Sequence, residues 1–347
     1  MKKALKKIFS PLALLFKFIC DEWYDFRVYL HKKFSKGGEK KVGKNTNKIK
    51  DLIFYSCFLA IPLAMFILSN VIINGNAILL AFQKYENGRK VFAGLEHFKS
   101  LFNSFMYDPL FTGMLGRSFL VYGVTTVIGT IIPIVFSYYV YKKLFGWKIF
   151  KVILFIPSIL SSIITVSMFK MVANEVIPEI WQILFGKEID ALLRSPNTMF
   201  KTLLFYTVWM GLGSGLLTQL AAMNTVDPSV TESAQLEGIG FFQELWHIVL
   251  PACYQVLTLG LVTGIATIFT NNMNLYAFYG INAPDRAQTV GYYFQVETLE
   301  AEMSQYPYLS AWGVIITIIV TPLTLTLRHL INKYGPSEDG YDRKKKA

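Results

Sequence analysis

The stretch Glu232–Pro251, "ESAQLEGIGFFQELWHIVLP", lies between two long apolar tracts. From Asn224 to Pro251 there is no Lys or Arg, while Asp227, Glu232, Glu237 and Glu244 are acidic, in a chain of formal charge +11. Helical geometry organises the segment. Asp227 suits an N-cap and Pro228 a first turn, so a short helix is expected over residues 229–236. Gly238 and Gly240 end it, because glycine takes the left-handed conformation common past a helix C-terminus. A second helix follows from Phe241 to Val249, with Phe242, Leu245, Trp246 and Val249 on one apolar face, and Pro251 leads into the next tract. The expected form is a knuckle, apolar on one side and acidic on the other. Such a shape suits a partner with a hydrophobic cleft and nearby basic residues, or an interfacial loop whose apolar face rests on lipid.

The rest of the composition says what the knuckle is attached to. The chain is 53% hydrophobic and 16% charged with a mean hydropathy of +0.40, against about 25% charged residues in soluble domains. This is the balance of a polytopic membrane protein. Residues 1–50 hold 14 Lys or Arg against four acids, a net +10 that accounts for nearly all of the excess charge. A basic segment of this kind marks a cytoplasmic end near anionic lipid, and no aromatic-rich basic pattern points to nucleic acid. The opening "MKKALKKIFSPLALLFKFIC" is interrupted by Lys17 and lacks a small-residue cleavage site. Residues 1–34 therefore read as an amphipathic helix along the inner leaflet rather than a signal peptide. Three cysteines and four scattered histidines show no metal-ligand spacing, so neither a disulfide nor a metal is expected.

A spanning helix needs about 20 apolar residues, and six segments qualify: 52–73, 118–141, 152–173, 200–223, 252–275 and 309–331. With both ends inside, 24 of the 34 Lys and Arg fall on one side, which places both termini in the cytoplasm. By alternation the knuckle is cytoplasmic too. The expected organisation is a basic segment 1–50, a six-span domain 51–333 containing the loop 224–251, and a basic tail 334–347. Apart from Lys170, and from Lys201, Arg328 and His329 close to span ends, the spans hold no acidic, basic or histidine side chain, which disfavours an ion-coupled carrier. No GxxxxGK[ST] loop occurs, and "GLGSG" at 211–215 lies mid-span, where it suits close packing or ligand approach. No acid–base or nucleophile–base arrangement suggests an enzyme.

The spacing E-x-A-x-x-x-G-x₉-I-x-L-P, carried by Glu232, Ala234, Gly238, Ile248, Leu250 and Pro251, resembles the EAA signature of permease subunits of binding-protein-dependent ABC importers. Ser233 stands where the family usually has alanine, and Pro228 sits one position later than its usual proline. "VFAGLEHF" (91–98), "KKLFGWKIFKVILFIPSILSS" (142–162) and "NAPDR" (282–286) resemble further family segments in the same order. The set is most similar to the carbohydrate group that includes the maltose importer. The resemblance implies an all-α, six-span type I importer permease in a bacterial plasma membrane, with the knuckle as a cytoplasmic coupling element. It implies a second, homologous permease, two cytoplasmic ABC ATPase subunits and an extracytoplasmic solute-binding protein as partners. ATP and Mg would then sit on the ATPase chains, with no cofactor on this one, and Glu232 would pair with a basic ATPase residue.

Two mid-span stretches collect small, aromatic and polar groups. "YTVWMGLGSG" (206–215) supplies Trp209, Gly211 and Ser214, and "ATIFTNNMN" (266–274) supplies Asn271 and Asn272. Amides offer both donors and an acceptor to sugar hydroxyls, although such groups also bond to neighbouring helices. Positional similarity to the maltose-importer permease adds Met210, Ile268 and Phe269 to the candidate path. The expected solute is a carbohydrate, with a peptide or phosphorylated polyol as the alternative for the same architecture.

Overall fold

The computed structural model describes residues 46–334 except Asn87, and 76% of it is helical. The segments 1–45 and 335–347 lie outside the described residues, and with them the helix expected within residues 1–34. The chain divides after Ser69 into two units. In the first, α1 (Thr46–Phe66) exposes its apolar side chains from Phe54 onward, as a lipid-facing helix does.

The second unit begins with α2 (Asn74–Ala81) and a hairpin, β1 (Gln83–Glu86) and β2 (Arg89–Phe92), paired antiparallel with Gln83 opposite Phe92. It continues with α3 (Glu96–Tyr107), α4 (Pro109–Tyr141), α5 (Trp147–Ile159), α6 (Ser162–Met171), α7 (Ile177–Phe185) and α8 (Met199–Met223). Then come α9 (Pro228–Leu236), α10 (Phe241–Glu244), α11 (Leu250–Ala252), α12 (Tyr254–Ala266), α13 (Leu275–Tyr279), α14 (Val290–Glu300) and α15 (Tyr306–Tyr334). Wider π-type turns join α6 to α7 and α10 to α11.

Four helices, Phe54–Ala81, Pro109–Tyr141, Met199–Met223 and Tyr306–Ile331, are long and apolar enough to cross a membrane. Two bent pairs bring the number to six if each counts as one span. The bends correct the sequence reading. The expected span 152–173 is broken between Ile159 and Ser162, with the two arms at 107°. Pro157 gives no N–H to its turn, Ser158 Oγ donates to the Phe155 carbonyl (2.8 Å), and Leu160 goes extended. The expected span 252–275 ends early at Ala266. Asn271 Oδ1 accepts the Met273 N–H and Asn272 Oδ1 the Asn274 N–H, both at 2.9 Å. These short side-chain turns carry Met273 and Asn274 into positive φ, 51° and 56°, and leave no helical path forward. Apolar content saw only the length of these tracts and missed the local polar competition within them.

The long helices α4, α5 and α8 meet through glycine. A Cβ on Gly213 would lie 2.8 Å from the Leu154 carbonyl oxygen, and one on Gly215 would lie 2.9 Å from Pro133 Cγ. Ser137 Oγ donates to the Leu216 carbonyl (2.8 Å) at the same seam. Close helix approach of this kind needs small residues, because lipid offers no hydrophobic drive for association.

Candidate functional site

Three helices surround a cavity of about 450 Å³. Each presents residues at the helical period. Helix α4 gives Tyr122, Thr125, Thr126, Gly129 and Thr130; α8 gives Gly211, Ser214, Gly215, Thr218 and Gln219; α12 gives Val256, Leu259, Gly260, Thr263 and Gly264. Thr267, Ile268 and Asn271 of the following turn complete the lining, and no Asp, Glu, Lys, Arg or His is among the described lining residues. Lys170 lies elsewhere, with its ammonium 5.8 Å from the Tyr279 ring centroid.

The wall offers hydrogen-bond capacity of a particular kind. The hydroxyls of Thr125, Ser214, Thr218, Thr263 and Thr267 each donate to a carbonyl of their own helix at 2.7 to 3.1 Å. Their donors are spent while their oxygen lone pairs remain available to a ligand that brings its own O–H. Gln219 is 9% exposed, and its Oε1 has no partner among the described residues. A buried polar atom left unpaired costs on the order of 1–3 kcal/mol. Gly129, Gly211 and Gly260 leave open space where a side chain would stand.

Of the path residues read from the sequence, the cavity brings together Gly211, Ser214, Ile268 and Asn271. It does not include Trp209, Met210, Phe269 or Asn272. Trp209 stacks on Phe169 (6.1 Å) beside the buried Tyr206, and Met210 packs with it against the same core. Phe269 is 7% exposed and stands edge-on to Phe119 at 5.6 Å. Asn272 donates through Nδ2 to Gln295 Oε1 (2.6 Å). These four serve packing and the turn in the subunit by itself. The turn is also clamped from outside. Thr289 Oγ1 donates to the Asn271 carbonyl (2.8 Å), and a Cβ on Gly291 would come within 2.7 Å of that oxygen.

The α4 wall and Gln219 were missed by the sequence reading. Their signal is small and polar residues at i, i+3, i+4, i+7 and i+8 within apolar helices, a pattern that no run of polar groups adjacent in the chain announces.

The second candidate site is the knuckle. Asp227 caps α9 by accepting the Ser229 N–H (2.9 Å), and Pro228 occupies the first turn. That contact, with the Ser229 hydroxyl, holds the Asp227 carboxyl below its ordinary value. At the other end Gly238 has φ +80°, Gly238 N–H donates to the Gln235 carbonyl (3.0 Å) and Ile239 N–H to the Ala234 carbonyl (3.1 Å). Those two bonds form the Schellman motif. Gly240 behaves otherwise than expected. Its φ is −75°, and it opens α10, with its N–H donated to Gln243 Oε1 (3.1 Å). Glu232 is exposed and Ala234 half-buried on α9, Ile248 is half-buried in the π turn, and Leu250 (half-buried) and Pro251 (exposed) belong to α11.

The expected apolar face splits in two. Leu245 and Val249 turn inward against Tyr138, Ala222, Met223 and Cys253, while Phe242 and Trp246 stand 74% and 69% exposed. Positions 242/246 and 245/249 are separate i, i+4 rows about 60° apart, and a single neighbouring surface covers one of them. Leu236, 90% exposed, adds to the uncovered row. The acidic side is also narrower than expected, because Glu244 is buried against Lys142 whereas Glu232 and Glu237 are exposed.

No family model matches the chain. It is similar to the polygalacturonan/rhamnogalacturonan transport system permease protein YteP of Bacillus subtilis (strain 168), at 26% identity over 74% of this chain and 81% of the relative. It is also similar to the arabinooligosaccharides transport system permease protein AraP of the same organism, at 24% identity over 72% of this chain and 79% of the relative. Among solved structures, a chain of a bacterial alginate ABC transporter in complex with an alginate pentasaccharide-bound periplasmic protein superposes with a TM-score of 0.68. That match has 18% identity and covers 83% of this chain and 96% of the other.

Proposed function

We infer that this chain, a homologue of carbohydrate ABC transport system permeases, is one permease of a type I ABC importer that passes a glycan through the membrane. The observation that carries the reading is continuity. The knuckle leads through a single bend of 69° at Cys253 into α12, and α12 is one wall of the polar cavity. An exposed docking element and a solute-sized polar space thus share one segment of chain.

On this reading both termini and the knuckle lie in the cytoplasm, and the two bent pairs count as spans. A second permease closes the open side of the cavity, and a solute-binding protein delivers the glycan from outside. Each permease seats its knuckle in a cleft of one ATPase subunit. Leu236, Phe242 and Trp246 would fill the cleft while Glu232 pairs with a basic residue at its rim. Chemistry is confined to the ATPase chains. The path takes hydroxyl-bearing solutes because the acceptor oxygens of its Ser and Thr hydroxyls line it.

The test is reconstitution in proteoliposomes with the partner permease, ATPase and binding protein encoded beside it, supplied with a panel of labelled oligosaccharides and peptides. ATP-dependent uptake of a glycan is expected, together with loss of ATPase association in Gly238→Asp. Uptake by this chain alone driven by a proton gradient, or uptake of peptides and no glycan, would overturn the reading.

A further inference from the structure

Glu244 is the one acid of the knuckle turned away from solvent, and docking makes no use of it. It is 2% exposed, and both of its carboxylate oxygens lie 2.9 Å from Nζ of Lys142, the residue that closes α4. Next to the pair, the Tyr138 hydroxyl donates to the Phe241 carbonyl (3.1 Å), and the two rings are 4.6 Å apart. The knuckle is therefore fastened to the end of a helix 102 residues away in sequence. Toward α12, its covalent neighbour, the helix breaks at a 69° bend instead.

Holding two helices together does not require a buried ion pair. Desolvation offsets most of the attraction, and an apolar pair of similar volume often does as well or better. A buried charge pair does fix which groups meet, because any shift leaves both charges unpaired in a dry place. We propose that Lys142 and Glu244 form the positioning contact through which an ATPase that moves the knuckle also moves the cavity wall, with α4 as the lever. The helix connects the two places directly. From Lys142 it runs past Ser137, bonded to Leu216, and Pro133, pressed on Gly215, to Tyr122–Thr130 on the cavity. The proposal rests on the docking role of the knuckle; what it adds is the helix that carries the motion and the residues that engage it.

The experiment uses the assembled complex in proteoliposomes, with the native cysteines replaced by alanine and a single cysteine substituted for Thr126. The probe is a membrane-impermeant maleimide, and its reaction rate is compared between nucleotide-free and vanadate-trapped complexes. The parent rate is expected to change by about tenfold between the two states, within the usual span of coupling between sites. In Lys142→Glu and in Glu244→Lys the ratio falls to near one while ATPase association and ATP hydrolysis persist. The double exchange restores it, as a specific pairwise term requires. Where a reversal variant fails to assemble, Glu244→Gln is measured in its place and the same loss of ratio is expected. Parent-like ratios in the single variants overturn the role of the pair and leave docking intact, and so does an assembled double exchange that stays near one. A parent complex that hydrolyses ATP with no change at position 126 overturns docking and lever together.

Discussion

The knuckle is shaped by contacts that reach two to five residues along the chain, Asp227 to Ser229 at one end and Ile239 to Ala234 at the other. The cavity is shaped by contacts between α4, α8 and α12, where Gly264 meets Tyr122 and Gly215 meets Pro133. They also differ in charge. A full ion pair ties the knuckle to α4, whereas the described lining of the cavity has no Asp, Glu, Lys, Arg or His. Local backbone chemistry therefore builds the knuckle, and helix register builds the cavity. A site of the first kind tolerates sequence change wherever the backbone rule is kept. A site of the second kind responds to side-chain volume at single positions.

Substitutions can break this contrast or sharpen it, and they rank by their effect on stability. The largest is expected from Glu244→Ala, which leaves the Lys142 ammonium unpaired in a mostly buried place. Stripping one partner from a buried pair costs about 3 kcal/mol or more, seen as a lower midpoint in thermal unfolding of the detergent-solubilised chain. An unchanged midpoint would mean that Lys142 reaches water freely. Next comes Gly213→Ala, whose Cβ would press on the Leu154 carbonyl and Ser158 Oγ at 2.8 Å. Overpacking of this kind costs about 1–3 kcal/mol. Two residues earlier, Gly211→Ala meets nothing within 4 Å and should stabilise the helix by up to about 1 kcal/mol through helix propensity. The same change thus reverses sign across half a turn. Gly211→Leu should also fold, yet abolish glycan uptake by filling the cavity. Retained uptake would remove Gly211 from the solute path.

At the knuckle, Gly238→Ala also meets open space, so only the positive φ opposes it, at a cost of about 1 kcal/mol. Gly238→Asn should be milder still, since Asn tolerates that region. ATPase co-purification and thermal midpoint together separate this backbone effect from the added charge of Gly238→Asp. The smallest effect concerns Asp227. Its carboxyl titrates below the ordinary value because the folded cap favours the charged form. The stability it lends is present at neutral pH and is lost as pH falls through that depressed folded value. The protection factor of the Ser229 amide, its exchange corrected for the intrinsic rate at each pH, should therefore fall at acid pH. In Asp227→Asn, which caps without a charge, that acid limb should be missing.

Most of the architecture was legible. The four long apolar helices, the cap at Asp227, the left-handed Gly238 and the second helix after it were all read from short-range rules, and they stand in the structure. The breaks in the third and fifth tracts were not read, because Ser158, Asn271 and Asn272 act by competing for backbone groups that an apolar count ignores. Four of the eight path residues line the cavity; of the others, Trp209, Phe269 and Asn272 are held by Phe169, Phe119 and Gln295, and Met210 packs against the core.

Composition, apolar length and capping residues determined by themselves that this chain is a bundle of membrane helices bearing a helical knuckle. Each of those signals is complete within a few turns of chain. Tertiary structure alone decided that Glu244 turns inward to Lys142, that Trp209 packs while Gly211 opens, and that Gln219 Oε1 finds no partner among the described residues. The physical reason is register. Whether a polar side chain meets solvent, a partner or a solute depends on which turn of another helix lies opposite, and no local propensity encodes that.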